Sequence, residues 1–425
     1  MQAVSMNRQG YIKWLKWLVV LCALAATGLR VGLWSLDSSP TPQAAKLPAR
    51  PPIALADLRQ ALDTEFSPIM KDGLLRQSTG CGVVIGVIDH SVRRVFTYGA
   101  AHTDSIFEIG SVTKTFTGLA LAQLAVQNKV RLDEPLRPIL FSDIAAGSPG
   151  KEITLLDLAT HRSGLPSVPD NIEPKDPDNP FADYDRVALH DFLARHGTAK
   201  SPDTKYLYSS LGIGLLGYAL AARAGVPYAQ MIRTEITGPL RMNDTVFALT
   251  PEQKRRVIEG HTASMNPIDA GLGESGIFTG AVGAKSTVED LLTWLDANLH
   301  PENYSDGESG ATLPLAFAID HRLRGQVSPN TEVAFSWLYD VESGRYEHGG
   351  TTPGYTARVE FVPGEDRGIV VLYNRMDELP GQRRFVDQVA ENINELMSGE
   401  PAARIDIISD EDPARAALEE TDNDL

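Results

Sequence analysis

The hydrophobic and polar positions predict a sheet whose strands come from both ends of the chain. Residues 82–89 and 94–98 are β-prone runs joined by a polar turn at His90-Ser91, which is typical of a hairpin. Four more strands are predicted near the C-terminus, over residues 334–339, 345–348, 356–362 and 368–373. Consecutive strands joined in this way pair antiparallel, so the pattern predicts an antiparallel sheet.

Helical periodicity dominates the middle of the chain, from residue 111 to about residue 238. The predicted helices cover residues 113–127, 155–160, 186–196 and 211–224, with further helices over residues 54–75 and 383–397. A sheet completed by distant parts of the chain around a helical insertion indicates an α+β fold. We expect an antiparallel sheet flanked by helices, an inserted all-helical lobe, and a cleft between the lobes.

Two irregular segments are expected to line that cleft. Residues 164–185 hold five prolines and six acidic residues, and residues 271–283 are rich in glycine. The second segment precedes Ser286-Thr287-Val288-Glu289, which matches a capping box and predicts that a helix starts there. The alternative is that either segment is a plain surface connection.

Composition and net charge exclude several classes of function but say little about the fold. The chain has 425 residues, of which 43% are hydrophobic and 22% are charged, so it can bury a large core. Its formal net charge of -16 repels nucleic-acid phosphates, and nucleic-acid binding is therefore not expected. The two cysteines, Cys22 and Cys81, cannot build a disulfide framework or a thiolate metal cluster, and Cys81 is expected to be a small core residue.

The N-terminus has the pattern of an export signal. Arg8, Lys13 and Lys16 precede an uncharged, mostly apolar stretch over residues 17–29. Residues 1–36 are therefore predicted to be a signal peptide or, alternatively, an uncleaved membrane anchor. For a bacterial protein this predicts the periplasm or the extracytoplasmic face of the inner membrane.

The remaining chain divides by composition into three parts. Residues 37–53 are rich in proline, alanine and serine and are predicted to be a linker. Residues 54–400 are predicted to form the main domain, and residues 401–425 an acidic C-terminal tail.

A Ser-x-x-Lys element stands where strand-like sequence gives way to a long helix. Ser111 and Lys114 are three residues apart, so on a helix they share a face and can hydrogen-bond. At a helix N-terminus the dipole disfavours an ammonium, which would lower the pKa of Lys114 and help it take the serine proton. Ser111 is thus the candidate nucleophile, and a helix N-cap is the structural alternative.

The same spacing occurs again in Ser148-Pro149-Gly150-Lys151. Pro149 and Gly150 prevent a regular helical face, so this second match is predicted to be a turn. Context therefore separates the two matches.

Tyr206-Leu207-Tyr208-Ser209-Ser210 precedes the helix expected from residue 211. Tyr208 is a candidate phenolate base, provided that Lys114 or another cation lowers its pKa, and is otherwise a core tyrosine. Ser210 is expected either to donate a hydrogen bond to a substrate amide or to cap the following helix.

The third element, Glu347-His348-Gly349-Gly350-Thr351, ends a predicted strand. Its two glycines suit a strand edge that a substrate backbone approaches closely. His348 is a candidate for binding a carboxylate or assisting proton transfer. The Thr351 N–H can pair with the Ser111 N–H as an oxyanion hole. A simple turn is the alternative.

In the order Ser-x-x-Lys, Tyr-x-Ser and His-x-Gly, the three elements resemble the motifs of the serine β-lactamase and penicillin-binding protein superfamily. Within that superfamily, the motifs are most similar to those of class C β-lactamases and related DD-carboxypeptidase/endopeptidases. The likeness covers about residues 80–375 and includes LLDLATHRSGLP over residues 155–166. It implies a β-lactamase/transpeptidase-like fold, acylation of a serine by a β-lactam or a D-Ala-D-Ala peptide, and no metal or other cofactor.

By this resemblance Ser111 is the nucleophile, Lys114 its partner and Tyr208 the general base. The substrate-binding residues are then Ser210, His348, Gly350 and Thr351. Ser210 stands where the family has asparagine, so amide recognition is expected to be weaker. His348 stands where the family has lysine, so carboxylate binding is expected to be weaker and pH-sensitive.

The chain is therefore expected to be an exported serine hydrolase with a small-molecule or peptide substrate and a Ser111 acyl-enzyme. The two specific hypotheses are a D-Ala-D-Ala carboxypeptidase/endopeptidase and a class C-like β-lactamase. The alternatives are an esterase or D-amino-acid amidase on the same scaffold, and a non-catalytic ligand-binding or sensor domain. His161, within the 155–166 stretch, is expected to support the cleft rather than to act in it.

Overall fold

The computed structural model describes residues 51–71, 75, 77–141, 151–176, 179–200, 205–268, 275–377, 383–400 and 405. The predicted signal peptide or anchor, most of the linker, and the acidic tail apart from Ile405 lie outside the described residues. The same holds for Cys22 and for Ser148, Pro149 and Gly150 of the second Ser-x-x-Lys match.

The strands are numbered in chain order. They are β1 (Gly82–Asp89), β2 (Val92–Gly99), β3 (Phe107–Glu108), β4 (Lys151–Glu152), β5 (Ala199–Lys200), β6 (Gly260–His261), β7 (Pro267–Ile268), β8 (Lys285–Ser286), β9 (Gly325–Ser328), β10 (Thr331–Val333), β11 (Leu338–Asp340), β12 (Arg345–Thr352), β13 (Tyr355–Val362) and β14 (Arg367–Tyr373). Eight of them form one antiparallel sheet in the order β2-β1-β14-β13-β12-β11-β10-β9. The first and last strands of the domain are thus neighbours, which confirms that the sheet draws on both chain ends.

The helices are numbered in the same way. They are α1 (Leu58–Lys71), α2 (Thr113–Val126), α3 (Arg137–Leu140), α4 (Leu155–Ala159), α5 (Arg186–His196), α6 (Ser210–Ala224), α7 (Tyr228–Ile232), α8 (Pro251–Lys254), α9 (Thr279–Val282), α10 (Val288–Leu299), α11 (Gly307–Gly310), α12 (Leu313–Asp320) and α13 (Phe385–Ser398). The α+β class is confirmed, with α2 and α6 at the centre of the helical lobe. Both are buried almost all round, as expected for helices without a solvent face.

The central strands β1 and β14 are buried on both faces of the sheet by two separate apolar cores. On β1, Val83, Ile85 and Val87 belong to the core shared with α1 and α13, while Val84 and Ile88 belong to the core of the helical lobe. A strand covered on both faces is apolar at nearly every position, which is why residues 82–89 lack a polar alternation. Gly86 lets α10 approach the sheet, because a β-carbon there would lie 2.7 Å from the Val288 side chain.

The hairpin prediction is confirmed in detail. His90 and Ser91 form a two-residue connection between β1 and β2, with φ angles of 48° and 64°. Positive φ at both positions is the geometry whose twist matches two antiparallel strands. The Cys81 prediction is also confirmed, since its side chain is fully buried.

Three local predictions are wrong or shifted. Residues 334–339 are not one strand, because β10 ends at Val333 and β11 begins at Leu338. The predicted capping box of Ser286 and Glu289 is wrong: Thr287 caps α10 by accepting from the Asp290 N–H, and the Asp290 carboxylate accepts from the Asp244 N–H instead. The first helix is shorter than residues 54–75 and begins at Leu58.

Candidate active site

Ser111 lies in a single 3₁₀ turn, Gly110–Val112, that leads directly into α2. The residue at the N-cap of α2 is Val112, so Ser111 is not the N-cap of this helix. Its hydroxyl instead accepts a hydrogen bond from Lys114 Nζ at 2.7 Å. The alternative prediction, that Ser111 caps this helix, is therefore wrong. The expected contact between Ser111 and Lys114 is present.

Lys114 is completely buried at the second residue of α2. Its Nζ also donates to the Ala281 carbonyl of α9 at 3.0 Å. Two fixed acceptors hold the amine beside the Ser111 hydroxyl, close to the positive end of the helix dipole. This geometry suits proton exchange between the two groups.

The Ser111 turn packs against the backbone of β12. A β-carbon on Gly350 would overlap the Ile109 carbonyl and lie 3.1 Å from the Ser111 nitrogen. A β-carbon on Gly110, which has a φ of 49°, would lie 2.9 Å from the Thr351 nitrogen. The Ser111 and Thr351 backbones are thus neighbours, as an oxyanion hole made from their N–H groups requires.

The edge of β12 is open beside Ser111. The pairing of β11 with β12 ends at the Leu338–Glu347 pair. In the described part of the chain, no strand pairs with the outer side of β12 from His348 to Thr352. An extended substrate has room to lie there, which agrees with the strand edge expected from the glycines.

Tyr208 lies just before α6, with its ring over the lysine. The Lys114 Nζ is 5.0 Å from the centroid of the Tyr208 ring. The ring is buried between two histidines, with centroid distances of 4.6 Å to His161 and 6.4 Å to His348. The structure therefore brings together the candidate groups from all three sequence elements.

His348 is buried, and its Nδ1 lies 2.6 Å from the Gly349 carbonyl. Since a carbonyl only accepts, Nδ1 carries the proton of the neutral ring. Burial, and then the charge of Lys114, lowers the pKa of His348 to about 3. The ring is neutral at pH 7, so His348 offers no cation to a carboxylate, and its expected titration moves far below neutral pH.

A family model described as Beta-lactamase matches residues 71–391, which is well over half of the chain. The chain belongs to the beta-lactamase family. It is a serine hydrolase of the β-lactamase and DD-peptidase type.

Curated relatives of the family align over most of the chain at low identity. A Beta-lactamase of Pseudomonas fluorescens is 24% identical, with 75% of this chain and 94% of the relative covered. The D-alanyl-D-alanine-carboxypeptidase/endopeptidase AmpH of Escherichia coli (strain K12) is 27% identical, with 78% and 88% covered. A Beta-lactamase of the same organism is 25% identical, with 71% and 86% covered. Relatives with two different names match equally well, so similarity alone does not choose between them.

The structure contradicts one of the two predictions for Ser210, that it caps the helix α6. The N-cap of α6 is Ser209, whose hydroxyl accepts from the Gly212 N–H at 2.8 Å and donates to the Pro166 carbonyl at 2.7 Å. Ser210 is the first helical residue, so the capping interpretation of Ser210 is wrong. Its donation to a substrate amide stays a prediction.

Two interactions near the nucleophile were not predicted from the sequence. The Ala281 carbonyl left no signal, because every residue type supplies a backbone oxygen. Glu108 and Lys285 form a buried ion pair at 3.4 Å across the short β3–β8 pair, three residues before Ser111. This ion pair could have been predicted, because each charged residue stands among apolar residues in the sequence, and a buried charge normally has a partner.

Two further observations concern the described residues only. They contain no group of three or more His, Cys, Asp or Glu side chains arranged to hold a metal ion. None of their helices combines the length and the apolar character needed to cross a bilayer.

Proposed function

We propose that this family member is an exported, penicillin-recognising serine hydrolase that acts through a Ser111 acyl-enzyme on D-Ala-D-Ala peptides or β-lactams. The observation that carries the proposal is the 2.7 Å contact between the buried Lys114 Nζ and the Ser111 hydroxyl, beneath the Tyr208 ring. The substrate class is supported by the names of the relatives, which are a carboxypeptidase/endopeptidase and β-lactamases.

In the proposed reaction, Ser111 Oγ attacks the carbonyl carbon of the substrate, and its proton passes to Tyr208, which acts as a phenolate beside the Lys114 ammonium. The Ser111 and Thr351 N–H groups hold the negative charge that develops on the carbonyl oxygen. The amide bond then breaks, and its nitrogen leaves with a proton from Tyr208. The acyl group stays on Ser111 as an ester until water hydrolyses it.

A second candidate is an esterase or D-amino-acid amidase on the same site. It is favoured by the neutral His348, because an uncharged ring does not attract the terminal carboxylate of a peptide or a penicillin. Substrates without that carboxylate lose no binding affinity when the family's lysine is replaced by His348.

Time-resolved mass spectrometry of the intact protein with a penicillin tests these proposals. A persistent adduct supports the peptidase, and a transient adduct with product release supports the β-lactamase. Hydrolysis of a short-chain ester without any penicillin adduct supports the esterase. If neither an adduct nor ester hydrolysis occurs in folded protein, the catalytic proposal fails and a ligand-binding domain takes its place.

A further inference from the structure

The backbone on both sides of Tyr208 is held by one residue, His161. The Leu207 N–H donates to the His161 carbonyl at 2.8 Å. The Ser209 N–H donates to the His161 ring at Nδ1, at 3.1 Å. Tyr208 is thus the middle residue of a three-residue segment whose two outer N–H groups both end on His161.

The same imidazole also touches the Tyr208 side chain. The two rings are 4.6 Å apart at an interplanar angle of 36°. Because Nδ1 accepts from Ser209, the proton of the neutral ring lies on Nε2. Burial, and then the charge of Lys114, holds the pKa of His161 well below its usual range, so the ring keeps this acceptor at neutral pH.

The turn that carries His161 is itself fixed from the other side. Asp157 forms a capping box with Thr154 at the start of α4 and a 2.5 Å ion pair with Lys200. Lys200 also donates to the Arg162 carbonyl at 3.2 Å, next to His161. His161 has a φ of 55°, in the left-handed region that non-glycine residues adopt only where the surroundings enforce it.

We infer that His161 is a positioning residue, which fixes Tyr208 over Lys114 by accepting the Ser209 N–H at Nδ1 and the Leu207 N–H at its carbonyl. This inference rests on the proposed function of Tyr208 as the proton-transfer group. His161 does not touch the reacting atoms in this account, and it acts only through the tyrosine segment.

Two variants isolate the ring acceptor. Asparagine tolerates left-handed φ and places an amide oxygen where Nδ1 lies, whereas glycine tolerates the same φ and has no acceptor. With a substrate that the wild type turns over, we expect His161→Gly to lower kcat by about tenfold or more with KM changed by less than about threefold, because the base is misplaced rather than the substrate lost. His161→Asn should recover kcat to within about threefold of the wild type.

Equal kcat losses in the two variants would overturn the acceptor role, as would a fully active His161→Gly. The two proposals are separated by nitrogen NMR of the imidazole, which needs no turnover. Nδ1 unprotonated and Nε2 protonated in the wild type is the expected result, and the opposite tautomer would overturn the inference even in an active enzyme. A wild type that is inert toward penicillins and esters, yet shows the expected tautomer and a Ser209 N–H that exchanges with solvent faster in His161→Gly than in His161→Asn, would refute the proposed function and leave the positioning intact.

Discussion

Ser111 and Lys114 carry the proposed chemistry because their side chains are in direct contact, with Lys114 Nζ 2.7 Å from the Ser111 hydroxyl. Their three-residue spacing at the start of a predicted helix predicts the contact, since residues three apart on a helix lie on one face, and this helical context is what the match at Ser148 and Lys151 lacks. The Ala281 carbonyl, which fixes the lysine from a distant segment, could not be predicted in this way. Local sequence spacing therefore predicts the reacting pair. The backbone group that orients Lys114 belongs to a distant segment and is known only from the tertiary structure.

His348 gives a prediction about the pH dependence of stability. Its pKa is about 3 in the folded protein, against about 6.5 when the ring is exposed by unfolding. Between these values the unfolded chain binds more protons, so folding stability is fully present above pH 6.5 and is lost as the pH falls toward 3. The slope approaches about 1.4 kcal/mol per pH unit.

His348→Gln removes this titration and keeps His161 and the buried carboxylates in the chain. We therefore expect the wild type to lose up to about 2 kcal/mol more unfolding free energy than the variant between pH 7 and pH 5. Urea unfolding of both proteins at the two pH values measures the difference. Identical pH dependence would mean that His348 is not held neutral.

At the scale of elements, the approach of β12 to the Ser111 turn gives a sharp prediction. A methyl group at Gly350 would overlap the Ile109 carbonyl, so Gly350→Ala must push the strand away from Ser111. We expect a folded protein whose acylation is slowed on the order of 100-fold, because a displacement near 1 Å at the reacting centre costs about that much.

Gly364→Ala is the matched control. Gly364 lies in the turn between β13 and β14, and a β-carbon there has no neighbour within 4 Å. This variant should acylate at the wild-type rate in stopped-flow measurements with a chromogenic β-lactam or an active ester. Equal rates in the two variants would show that the strand does not need to lie against Ser111.

The predicted bounds of a helix agree with the structure where local side-chain and backbone interactions define its ends. α5 has the predicted bounds, because Asp185 accepts two N–H groups at its start and Gly197, with a φ of 87°, ends it. Residues 334–339 look like a strand from their apolar pattern, but Phe335 and Ser336 donate to the Asp320 and Ala159 carbonyls instead. A periodicity cannot reveal such tertiary partners, nor can it mark two-residue strands such as β3.

At the scale of the whole molecule, the sheet separates two cores and holds the site on one side. The core with α1 and α13 joins the two chain ends of the domain, and the core of the helical lobe surrounds α2 and α6. The nucleophile turn enters α2 from the sheet side, so Ser111 lies where lobe and sheet meet. The fold class followed from element order alone, whereas the alignment of Ser111, Tyr208 and β12 depends on packing between distant segments.

The proposed export is tested on the N-terminal residues 1–53. We expect a reporter that is active only outside the cytoplasm, such as alkaline phosphatase fused after residue 53, to be active when residues 1–36 are present. The control fusion without residues 1–36 should be inactive. Equal activity of the two fusions would contradict the proposed export, without bearing on the catalytic site.

In the proposed reaction Ser111 forms the acyl-enzyme, and peptide mapping identifies the acylated residue directly. The protein is mixed with an active ester and, separately, with a penicillin, quenched in acid, digested and sequenced by tandem mass spectrometry. We expect a mass increase on the peptide containing Ser111 with at least one reagent, and none on that peptide in folded Ser111→Ala. An adduct on another residue, or undiminished acylation of Ser111→Ala, would contradict it.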